Sequence, residues 1–65
     1  MNKTRLQNLN SNQFTIEEHG GLTMICDSCG GVREAFEFSP RKLKNAMNRI
    51  QKCFIDKVIF IDLRD

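Results

Sequence analysis

The residues able to do chemistry in this 65-residue chain are few: Cys26, Cys29 and Cys53, a single histidine at position 19, and a short block of lysines and arginines. Cys26-Asp-Ser-Cys29-Gly-Gly is the one motif with a recognisable spacing. Two thiolates two residues apart, with glycine behind the second, can turn to one metal ion because a tight turn aims backbone amides at the sulfurs. His19 and this turn fall at opposite ends of an intervening strand. At ~3.4 Å per residue that puts about 17 Å between them, too far for a shared ion. Cys53 fares better, since a helix of about 15 residues travels ~22 Å back toward the turn. Cys26, Cys29 and Cys53 are thus the candidate ligands of one zinc ion, with Asp56, a water or a residue of a second subunit as the fourth.

The Cys26–Cys29 turn resembles the zinc knuckles of zinc-ribbon and treble-clef domains over about six residues. The resemblance implies one bound zinc per chain. Those domains supply a second Cys or His pair, and this chain has none. Two other readings compete. The cysteines would serve equally as small buried side chains in a tight turn. A redox dithiol is the third, although such couples open a helix in a larger βαβ scaffold and this one lies between strands.

The charge is unevenly spread. From Met1 to Pro40 there are three bases against five acids, whereas Arg41 to Lys52 holds five bases and no acid. Arg41 and Lys42 fall in the first turn of a helix, where the dipole repels cations, and Lys42 stands where a glutamate would complete a capping box. Local helix stability therefore did not select them. Arg41, Lys42, Lys44, Arg49 and Lys52 are the candidate residues for binding an anion, nucleic-acid phosphates or an acidic protein surface. A solvated face with Arg41 or Lys42 paired to Glu34 or Glu37 is the plain alternative.

The elements that position these groups follow from hydrophobic period and turn residues. Residues 1–12 form a polar arm, mobile unless Leu6 and Leu9 dock. Gln13–Glu18 alternates as a strand, His19-Gly-Gly21 makes a three-residue hairpin loop, and Leu22–Cys26 returns. Asp27–Gly31 is a second turn and Val32–Phe38 a third strand. Ser39 is a good N-cap and Pro40 suits the first helical position. Leu43, Met47, Ile50 and Phe54 then make one apolar stripe, which predicts a helix over 40–54. Val58–Leu63 is the last strand. The order is β-β-β-α-β: an α+β two-layer sandwich, one domain over 13–65, with a small, mostly antiparallel sheet on one helix. A right-handed crossover through the helix brings the last strand into the sheet in parallel.

That last strand is too apolar for its place. Val58, Phe60 and Asp62 face one way, Ile59, Ile61 and Leu63 the other, and a strand apolar on both faces needs cover on both. One helix covers one face. The second face calls for the arm, a second copy of the chain or another partner, which makes Val58, Ile59, Phe60, Ile61 and Leu63 the candidate dimer or partner interface.

Size bounds the rest. A 7.5 kDa chain with five aromatic residues builds one thin core, worth roughly 3–5 kcal/mol, and excludes a Rossmann unit or a barrel. The amino terminus carries no apolar run, so neither a signal peptide nor a membrane span is expected, and three cysteines suit a reducing cytoplasm better than a disulfide framework. No histidine, serine or carboxylate falls at a catalytic spacing, so no enzymatic activity is expected. The sequence points to a small non-catalytic intracellular regulator, of the size phages and mobile elements use to modulate a host protein. It would act through its last strand and basic helix as a homodimer or on a protein partner. The alternative is a zinc-knuckle regulator that binds nucleic acid through the basic helix.

Overall fold

The computed structural model describes residues 9–64; Leu6 and most of the expected polar arm lie outside them. Strands β1 (Gln13–His19), β2 (Leu22–Cys26) and β3 (Val32–Glu37) precede helix α1 (Pro40–Gln51) and strand β4 (Ile59–Asp62). The four strands form one sheet in the order β3-β2-β1-β4. β1–β2 and β2–β3 are antiparallel, and β1–β4 is parallel. The chain is thus an α+β fold with a mixed sheet, as the element order predicts. The helix carries the chain from the β3 edge to the β4 edge.

Two turns set the register. His19 pairs with Leu22, so the first hairpin loop has two residues, Gly20 and Gly21, rather than three. Both have positive φ, +58° and +83°, which matches the right-handed twist of the flanking strands and requires glycine or a similar permissive residue. The second hairpin carries a bulge. Ile25 pairs with Glu34 but Cys26 with Val32, leaving Arg33 as the extra residue. The Arg33 guanidinium lies 5.6 Å from the centroid of the Phe14 ring.

The helix begins as its sequence requires. Ser39 has extended backbone, accepts a hydrogen bond at Oγ from the Lys42 amide (3.4 Å), and its carbonyl starts the helical ladder at Leu43 (2.9 Å). The helix ends at Gln51, three residues short of the expected Phe54, because the chain tightens. The Cys53 and Phe54 amides bond to the carbonyls of Ile50 and Gln51, three residues back. The Gln51 side chain then pins the return loop, donating to the Asp56 carbonyl (2.9 Å) and accepting from the Val58 amide (2.8 Å).

The core lies between helix and sheet. Phe14, Ile16, Ile25, Ala46, Ile50 and Val58 are buried, and Phe36, Leu43, Met47, Phe54 and Phe60 pack against them. Phe14 is its centre, with the Phe54 ring edge-on at 5.7 Å and the Phe60 ring tilted at 6.0 Å. Cross-strand partners share a face, so the register assigns both sides of the sheet. Phe14, Ile16, Thr23, Ile25, Phe36 and Phe60 turn to the helix, while Thr15, Met24, Cys26, Val32, Ile59 and Ile61 turn away from it.

Candidate functional site

The cysteine turn is built around a carboxylate. Asp27 Oδ1 accepts from the Cys29 amide (2.9 Å) and the Gly31 amide (2.8 Å), and the Asp27 backbone bonds to Gly31 and Gly30. In a metal knuckle such amides would point at the sulfurs; here Asp27 takes them. Gly31 leaves room for this, since a Cβ there would lie 3.1 Å from Asp27 Oδ2. Cys26 is buried in the sheet face turned away from the helix, and Cys29 is exposed in the turn. Cys53 does return to this end of the molecule. Yet it is exposed beyond the helix, its thiol 3.6 Å from the Arg49 carbonyl. Among the described residues no three His, Cys, Asp or Glu side chains gather where they could hold a metal ion. The set Cys26, Cys29 and Cys53 therefore does not fit the zinc that the knuckle resemblance implies. The length of the helix brings Cys53 to the right end, but a helix on one face of a sheet cannot reach a side chain on the other.

The basic block divides into two rows. At 100° per residue, Arg41, Lys44, Asn45, Asn48 and Lys52 fall on one stripe opposite the buried Ala46 and Ile50, and all five are exposed. Lys42 and Arg49 lie on the flank that faces β3. Arg49 is tied there by two hydrogen bonds to Glu34, 3.2 Å from Nε and 3.0 Å from Nη2. This pair holds the Glu34 carboxyl below its ordinary range and raises the Arg49 pKa, chiefly through those hydrogen bonds. The ion pair between strand and helix is thus made by Arg49, not by Arg41 or Lys42. Among the described residues Arg41, Lys42, Lys44 and Lys52 make no ion pair.

The expected interface on the last strand also divides. Val58 is buried in the core and Phe60 packs on Phe14, so these two serve the fold. Ile59, Ile61 and Leu63 follow the other alternation. One row across the second face reads Val32, Cys26, Thr15, Ile61. Val32 is 54% exposed, Ile59 46% and Leu22 36%. Glu17 marks one border of this face. Its carboxylate accepts from the Thr15 hydroxyl (2.8 Å) and lies 2.9 Å from His19 Nε2, which places the only histidine on a strand end. Thr15 (4% exposed) and Cys26 (6%) in the middle of this face are buried nonetheless, although among the described residues no helix or strand packs on it.

Sequence reasoning passed over a further grouping. Beyond β3 and β4, Phe38 and Arg64 meet from opposite edges of the sheet, the guanidinium 5.2 Å from the ring centroid. Arg64 is held by Asp62 through Nε (3.0 Å) and Nη2 (2.8 Å), which raises its pKa, with the field of Glu18 adding to the effect. These four residues and Thr23 line an open cleft of about 380 Å³. Its only signal in the sequence is Asp62, a charge placed on the core side of an otherwise apolar strand.

Compared with known proteins, the chain matches no family model, no curated protein and no solved structure. No helix among the described residues is long and apolar enough to cross a membrane.

Proposed function

We propose that the chain is a small, non-catalytic, intracellular binding protein that acts through contacts with another polypeptide, and that its sheet face takes a second copy of itself. One observation supports this reading: Val32, Ile59 and Leu22 stand exposed around the buried Thr15 and Cys26, on a sheet face against which no described helix or strand packs. A two-layer fold 17 Å across its shortest axis has one layer too few to bury both faces of a four-stranded sheet. The row Val32, Cys26, Thr15, Ile61 carries no formal charge, and the acids of this face, Glu17 and Glu37, lie on the rows beyond it. The helix layer, with its unpaired cations, would repel itself. A dimer through the sheet leaves both basic helices outward, free to engage a regulated target.

Size-exclusion chromatography with light scattering tests this. The reading expects a species of twice the 7.5 kDa chain mass that dissociates on dilution. A chain that stays monomeric at the highest attainable concentration contradicts it.

A second reading rests on a different observation. Four cations without ion pairs, interleaved with Asn45 and Asn48 along ~18 Å of helix, are the groups that contact phosphates and base edges. It predicts nucleic-acid binding whose log–log salt slope is about −0.9 per phosphate contacted. Salt-independent binding, or none at low salt, removes it.

A further inference from the structure

We propose that the cleft between Glu18, Thr23, Phe38, Asp62 and Arg64 binds an organic cation, an ammonium or guanidinium group carried by a small molecule or by a polypeptide side chain. The volume, about 380 Å³, falls within the range of small-ligand sites. The groups left open in it are acceptors. Thr23 is 1% exposed, and its hydroxyl has no hydrogen-bond partner among the described residues. A buried hydroxyl in that state loses a stabilising contact that a ligand N–H can restore. The Glu18 carboxylate, on the helix side of β1 beside Thr23, makes no hydrogen bond or ion pair among the described residues. Phe38 is 52% exposed and offers an aromatic face.

The cleft already displays its own chemistry. The Arg64 guanidinium sits on the Phe38 ring and donates two hydrogen bonds to Asp62. Aromatic face and carboxylate together are the surroundings that bind guanidinium and ammonium ions. Glu18 and Asp62 against Arg64 leave a formal charge of −1 (two acids, one base) in the lining, which opposes an anion and favours a second cation. Arg64 is then both wall and competitor: it screens Asp62 from an incoming cation and occupies part of the ring.

The test is an NMR titration of the full chain with n-butylguanidinium and, separately, the tripeptide amide acetyl-Ala-Arg-Ala. Saturable shifts at the Glu18, Thr23 and Phe38 amides are expected from both. Tighter binding of the tripeptide assigns a polypeptide side chain as the source, and equal binding a free cation. Glu18→Gln, an isosteric change at an exposed strand position, is expected to weaken binding about fivefold. Arg64→Gln is expected to tighten it, by removing the competing charge from the Phe38 ring and the cleft. Absence of saturable shifts from both probes, unchanged affinity in Glu18→Gln, or equal binding of n-butyl phosphate at these amides would overturn the proposal.

Discussion

The two faces of this sheet are made by the same strands yet do different work. On the helix side, alternate residues of β1, β2 and β4 converge on Phe14, and the helix closes them off. On the other side Cys26 and Thr15 are buried as well, but the apolar Val32 and Ile59 are about half exposed. Hydrophobic burial is proportional to area removed from water and indifferent to where the cover comes from. One face obtains its cover within the chain; the other, in the proposed reading, from a second copy. The difference teaches that strand hydrophobicity alone does not distinguish a core from an interface. The register and the count of layers do.

Substitutions on the two faces should separate those roles. Phe14→Ala removes the centre of the covered face and is expected to cost about 3–5 kcal/mol, comparable to the whole stability of so small a domain. Circular dichroism should show an unfolded chain at room temperature. Asp27→Ala, which strips the carboxylate from the turn joining β2 and β3, should cost roughly 1–2 kcal/mol and lower the melting temperature without unfolding the chain. Ile59→Lys on the exposed face should change the monomer's stability by no more than about 0.5 kcal/mol, because lysine suits an exposed edge strand, while preventing the proposed association. A large loss of monomer stability from Ile59→Lys would show that this face is core after all.

The smallest effect is electrostatic and tests how the helix is fixed to β3. Arg49 lowers the Glu34 pKa below its ordinary 4.5 in the folded state. The pair therefore contributes in full above that pH, and its contribution disappears as pH falls through the lowered folded value. Both side chains are largely exposed, so the contribution is small and salt-sensitive. Acid titrations monitored by fluorescence of an extrinsic dye should show Glu34→Gln slightly less stable than the wild type at neutral pH, with the two curves converging as pH falls through the lowered folded value.

Much of the fold was legible because local signals agreed. Ser39-Pro40 followed by apolar residues at helical spacing announced the helix, and Gly20-Gly21 announced the hairpin. The alternation of Val58–Leu63 separated Phe60 from Ile59 before any register was known. What was not legible depended on distance. That Asp27 would take the turn amides is a three-dimensional competition between a carboxylate and a thiolate two residues on, and the spacing of the cysteines does not reveal it. Cys53 was placed at the correct end by helix length, but Cys26, next to the core-facing Ile25 and opposite Thr15, points to the side of the sheet away from the helix. The partner of Glu34 could be narrowed to the basic helix, yet choosing Arg49 over Arg41 or Lys42 required the helix's rotation about its axis. The end cleft joins residues from four separate segments, and no local pattern reports such a meeting.

The proposed self-association is tested most directly by light scattering on the wild-type chain and on Ile59→Lys across a wide concentration range. The account predicts a wild-type mass that rises to twice 7.5 kDa while Ile59→Lys stays at one chain and keeps its fold. A wild-type protein that remains a monomer throughout, or an Ile59→Lys variant that dimerises as readily as the wild type, would contradict it.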